Sequence, residues 1–223
     1  MSSRNEDKEI VVTDFTPESA KKFRQQVIDK SSQDPDRPII VHISSYGGYV
    51  DALASMVETL ESVPNKIVTV CTGYAFSCGA ILLSFGDYRF CGKHSRIMVH
   101  EVSGGAFGDT HDVYTDAAEQ KRINEYWLGK VAKNCGFSSY SDLRKHIKSK
   151  DGRNIWLDAD AALEFGIIDY VGNPSIEETL TYAIIMAPNK TEPKRRVSKF
   201  SQKHSVKKKT TKKKTTKKKT KKR

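Results

Sequence analysis

Apolar and polar positions follow two periods along this chain, and the switches between them mark a repeated order of strand and helix. Glu9–Thr13 carries the apolar Ile-Val-Val run of a short strand. Thr16 to Asp29 then predicts a helix, with Thr16 as N-cap, Pro17 at the first helical position, and Phe23 and Val27 four apart on one face. Ser31–Arg37 is polar and predicts a loop. Arg37–Ser45 is rich in β-branched residues and predicts a strand. Tyr46-Gly-Gly-Tyr49 follows as a turn, and Val50–Val63 as a helix that Pro64 closes.

The next strand is expected over Lys66–Thr72, ending at Gly73, with a helix starting near Ser77. Tyr88–Cys91 and Arg96–Ser103 predict two more strands. Gly108 to Lys133 predicts one long helix, on which Val113, Ala117, Ile123, Trp127 and Val131 form an apolar stripe that needs a partner, in this chain or in another subunit. From Trp156 the pattern gives a helix capped by Asp158 and stopped at Gly166, then a short strand. A last helix is expected over Ser175–Ala187. Strand-helix units of this length, repeated in this way, argue for an α/β fold.

Composition divides the chain. The net charge is +11, but residues 190–223 hold 18 Lys or Arg against the single acid Glu192, leaving the preceding residues with 20 basic and 26 acidic side chains. The body, 1–187, is therefore acidic and expected to form the folded domain. The Lys/Thr-rich tail, 188–223, has too little apolar surface for a core and is expected to be disordered. Cys71, Cys78, Cys91 and Cys135 form no C-x-x-C pair, which fits reduced thiols in a cytoplasmic compartment. The charged start lacks the apolar core of a signal peptide, and no run approaches the roughly 18 residues of a membrane span.

Candidate chemistry centres on Gly73-Tyr-Ala-Phe-Ser-Cys-Gly-Ala80. A hydroxyl becomes a useful nucleophile when a base accepts its proton, a third group orients the base, and N–H donors hold the oxyanion. Ser77 lies at a strand-to-helix turn, His100 ends a strand, and Gly47-Gly48 ends another where backbone can approach a substrate closely. Taken singly, each has a plainer explanation: a helix cap, a satisfied histidine, a turn. His42, His94, His111, His146 and His204 have no comparable setting and are assigned to structure or surface.

The combination changes the balance. Ile43-Ser-Ser-Tyr-Gly-Gly-Tyr-Val50, the Ser77 stretch, Arg96-Ile-Met-Val-His-Glu101 and Trp156-Leu-Asp-Ala-Asp-Ala-Ala-Leu-Glu-Phe-Gly-Ile-Ile-Asp169 together resemble the ClpP family of serine peptidases. That family's pattern runs S-P-G-G, G-x-A-x-S-M-G-A, a strand-ending histidine, and a segment like F-L-S-A-x-E-A-x-E-Y-G-L-I-D. The likeness spans roughly Glu9 to Gly172. It implies a ClpP/crotonase-like spiral of strand-strand-helix units with a long handle helix, here around Gly108–Lys133. It also implies an endopeptidase acting on peptides or unfolded proteins, in rings of seven that pair to enclose a chamber, with no cofactor and no metal. By motif, Ser77 matches the nucleophile, His100 the general base, and Gly48 and Cys78 the backbone oxyanion donors.

Three departures carry consequences. Counting back from Trp156 puts Asn154 where the family has the triad aspartate, with Asp151 the alternative if the Lys148–Arg153 loop shifts the alignment. Tyr46 replaces the proline of S-P-G-G and is expected to alter the rim of the substrate groove. Only about eight residues precede the first strand, so docking to a Clp-type ATPase is doubtful. The tail is suited to non-specific attraction of nucleic acid or an acidic partner, with strong salt dependence. Such a tail leaves open a specialised member, including a viral capsid-maturation protease in a host cytoplasm. The competing classes are a silent ring subunit, motivated by Asn154; a crotonase-type acyl-CoA enzyme, which would not need the serine and histidine; and a polyanion-binding module.

Overall fold

The computed structural model describes residues 9–149 and 154–175. Asp151, the last expected helix beyond Ser175 and the basic tail lie outside them.

A seven-stranded sheet organises the chain. β1 (Ile10–Val12), β2 (Ile39–Ser45), β3 (Ile67–Phe76), β4 (Tyr88–Cys91) and β7 (Tyr170–Val171) run parallel in that order. β2 alternates buried and half-buried residues, whereas the first five residues of β3, Ile67–Cys71, are all buried, as in a strand covered on both faces. β3 then forks. Val68–Cys71 pair with β4, and Tyr74–Phe76 pair with β5 (Arg96–His100), also parallel. β6 (Asn154–Leu157) closes that branch as the antiparallel partner of β5. The mixed α/β architecture, with its parallel sheet and flanking helices, agrees with the ClpP-like fold that the resemblance implies.

Local chemistry sets the helix ends. α1 (Pro17–Gln33) begins in a capping box in which Thr16 Oγ1 accepts from the Ser19 N–H and Ser19 Oγ accepts from the Thr16 N–H. It buries Ala20, Phe23 and Val27; each large apolar side chain so placed contributes about 1.5–3 kcal/mol. The helix runs past Ser31 to Gln33, where a loop was expected, because nothing before Asp34 breaks it. α2 (Val50–Glu61) buries Ala52, Leu53, Met56, Val57 and Leu60. α3 (Cys78–Leu83) is a short, wholly buried helix following Ser77.

The 25-residue α4 (Thr110–Asn134), capped by Asp109, buries Trp127, Leu128, Val131 and Ala132 near its C-terminal end. Val113 and Tyr114 near its start are exposed, so the expected stripe is covered only in part. α5 (Tyr140–Ser149) and β6 are elements the pattern did not announce. α6 (Ala159–Phe165) starts at the Asp158 cap and stops at Gly166, whose φ of 79° is the left-handed conformation that favours glycine. Among the described residues no helix is long and apolar enough to cross a membrane.

Candidate active site

Four segment ends meet at Ser77. The residue sits between β3 and α3 with φ 55° and ψ −120°, the one non-glycine residue with positive φ among those described. The turn is held by the Ser77 N–H donating to the Met98 carbonyl (2.9 Å) and by the Ser77 carbonyl accepting from Ala80 (3.0 Å) and Ile81 (3.1 Å). Backbone fixed in so unfavourable a region costs about 1–3 kcal/mol and points the side chain away from the helix axis.

His100 ends β5, and its Nε2 lies 2.7 Å from Ser77 Oγ. Burial shifts the imidazole below its ordinary value near 6.5, since a half-buried ring loses hydration that would favour the cation. The neutral ring is therefore the dominant form at neutral pH, and a neutral nitrogen can accept the hydroxyl proton.

Asn154, the first residue of β6, is the direct cross-strand partner of His100. Opposed residues of an antiparallel pair share one face of the sheet, about 4.5–5.5 Å apart at Cβ. The structure thus brings Asn154 beside the imidazole, with no hydrogen bond between the two side chains among those described.

Gly47 and Gly48 lie against the same turn. A Cβ on Gly47 would stand 2.7 Å from Ser77 Cβ, and one on Gly48 would stand 2.5 Å from the Phe15 carbonyl oxygen. Their φ values of 104° and 153° exclude a side chain for a second reason. The ideal Cβ position on Gly47 also lies 3.2 Å from the Cys78 nitrogen, so the glycine backbone and the start of α3 pack directly together. Cys78 Sγ lies 3.3 Å from the Gly48 carbonyl, to which its S–H donates. Burial pushes this thiol up, which keeps the proton on sulfur.

The turn sets together a hydroxyl on strained backbone, a neutral imidazole in contact with it, and the Gly47-Gly48 and Cys78 backbone alongside. A family model described as Clp protease matches residues 4–175. The chain belongs to the Clp protease family, a family of serine peptidases.

Sequence reasoning missed two features of this region. One is the Cys78–Gly48 tie; its only signal was a cysteine where the family pattern has methionine. The other is a set of exposed rings on the same sheet face, hidden because β3 was expected to end at Gly73.

Proposed function

We propose that the protein is a serine endopeptidase whose nucleophile is Ser77. The observation that carries this is the 2.7 Å contact between Ser77 Oγ and His100 Nε2. With Nδ1 carrying the ring proton, Nε2 accepts the hydroxyl proton as Oγ bonds to the scissile carbonyl carbon. The oxyanion formed is stabilised by the Gly48 and Cys78 N–H groups, a donor of this kind being worth about 2.7–4 kcal/mol. The imidazolium returns its proton to the amide nitrogen as the C–N bond breaks, and water then hydrolyses the acyl-enzyme by the same route. Asn154 orients the ring without the full charge an aspartate would place beside the cation.

Peptides or unfolded segments are the substrate class. Clp proteases generally form rings, and a ring of seven, paired with a second through α4, accounts for the exposed Val113 and Tyr114 on that helix. The folded unit comprises residues 1–187, and the Lys-rich tail, 188–223, holds nucleic acid or an acidic partner by charge. A fluorophosphonate probe tests the core of the proposal. A mass adduct on the wild-type chain that is absent from Ser77→Ala is expected; equal labelling of both would overturn it.

A second reading, a ring subunit without turnover, draws on the carboxamide of Asn154 opposite His100. It predicts a folded assembly that takes no adduct.

A further inference from the structure

The sheet branch that carries the site has two faces. Ala75, Ile97, Val99, Ile155 and Leu157 point into the core, and the residues between them point outward. The strand registers arrange this outer face in rows. Tyr74 lies beside Arg96; Phe76, Met98 and Trp156 follow in line; His100 and Asn154 form the next row. Tyr46, just before Gly47, leans over from the end of β2. Its ring centroid is 4.4 Å from that of Tyr74 and 5.6 Å from that of Phe76, and Phe76 is 5.1 Å from Trp156 at a near-perpendicular angle. The Arg96 guanidinium lies 5.7 Å from the Trp156 centroid, a cation–π contact that steadies the indole.

These rings are not core. Tyr46 is 73% exposed and Trp156 52%. A contiguous aromatic patch left in water marks a binding surface, and every part of this one adjoins the site. Phe76 precedes Ser77, Tyr46 precedes the two glycines, and Trp156 is the same-face neighbour of Asn154. A chain held with its carbonyl at the Gly48 and Cys78 donors must cross the rings on one side of the scissile bond.

We infer that this aromatic face is the side-chain specificity surface of the Ser77–His100 site, taking a large aromatic residue of the peptide flanking the bond to be cleaved. The inference rests on the peptidase reading for its location, but recognition needs no turnover. Rings present edges and faces to an incoming ring at the offset or perpendicular geometries that aromatic pairs favour. Arg96 occupies one face of Trp156 and leaves its rim and the rings of Tyr46 and Phe76 to the ligand.

The test uses the full-length Ser77→Ala protein, which binds without cleaving. Calorimetry compares Ala/Ser decapeptides that differ only in a central Phe, Trp or Gly. The aromatic peptides are expected to bind about tenfold more tightly than the Gly peptide. Trp156→Ala in the same background should bring the difference within about twofold, and Trp156→Phe should restore most of it. Equal binding of the Phe and Gly peptides would overturn the inference. So would discrimination that survives both Trp156→Ala and Tyr46→Ala, or a Trp156→Ala change in assembly mass with discrimination intact, which would make the face a contact between copies. Aromatic discrimination in a chain whose Ser77 takes no fluorophosphonate would uphold this surface and overturn the peptidase reading alone.

Discussion

Asn154 stands directly across from His100 in the antiparallel β5–β6 pair, so a carboxamide occupies the place from which a carboxylate would orient the imidazole. The neighbour is polar and adjacent, but carries no charge to balance an imidazolium. In a chymotrypsin-type triad the loss of that charge lowers kcat by about 10⁴.

Asn154→Asp is accordingly expected to raise kcat/KM for a fluorogenic peptide by at least about tenfold, with about 10⁴ as the upper bound. The position is exposed at the start of β6, so the new carboxylate is readily accommodated. An unchanged or lower rate, in a protein with unchanged unfolding, would count against Asn154 as the orienting residue.

The pH dependence follows from His100. Burial lowers its pKa below 6.5, so if the neutral ring is the base, Ser77 labelling should keep more than half of its plateau rate at pH 6.5, with the half-point of its acidic limb lying lower. A carboxylate at position 154 favours the cation and raises the pKa, so Asn154→Asp should move this acidic limb upward. A shift in the opposite direction would contradict the assignment.

The backbone at Ser77 makes stability and chemistry oppose each other. Ser77→Gly should abolish labelling yet exceed Ser77→Ala in stability by about 1 kcal/mol, since only glycine adopts φ 55°, ψ −120° without strain. Urea unfolding of the two variants measures the difference, and equal midpoints would mean that the turn relaxes elsewhere.

Cys78 ties the two proposed oxyanion donors together through its S–H to the Gly48 carbonyl. Cys78→Ala should lower kcat about tenfold, a fraction of a full donor's contribution, with KM within about twofold. Cys78→Ser, which restores a donor, should recover part of the loss. A proportional rise in KM instead would point to substrate binding.

Arg89 fastens the frame behind the site. Its Nη2 and Nε donate to Asp169 at 2.6 and 3.0 Å, and its Nη1 donates to the carbonyls of Asn134 and Gly166, both at 2.9 Å, joining β4, the end of α4, the α6 cap and the approach to β7. Burial opposes ionisation of the Asp169 carboxyl, but its hydrogen bonds and charge pairing with Arg89 outweigh that and hold its pKa below the usual range. Arg89→Met leaves two carbonyls without their donor and the Asp169 carboxylate with only the residue-89 backbone N–H, which donates to it at 2.9 Å, and should cost about 3–5 kcal/mol of unfolding free energy. A loss under about 1 kcal/mol would show that water replaces the guanidinium.

Strong local signals made much of this legible from sequence. Thr16 and Asp158 are caps with side chains suited to the task, Gly166 is a left-handed stop, and β1 to β5 are apolar runs bounded by polar or glycine residues. Ser77 and His100 were drawn together by motif, and counting back from Trp156 reached the residue that the register sets opposite His100. What stayed hidden depends on tertiary pairing. β6 is four residues long with only Ile155 and Leu157 buried, too brief for a period to show. Gly73 looked like the end of β3 because a local rule cannot see that a second partner strand takes over beyond it. The aromatic face follows from that extension and was invisible without it.

The fork in β3 gives the strand two separate obligations. Residues 68–71 answer to β4 and the core, and residues 74–76 answer to β5 and the site, with Thr72 and Gly73 as the joint. Inserting one residue at the joint would leave the first register untouched while turning Tyr74 and Phe76 inward and Ala75 outward. Inserting two would restore the face and displace only the reach. The placement of Ser77 is thus a matter of parity as much as of distance.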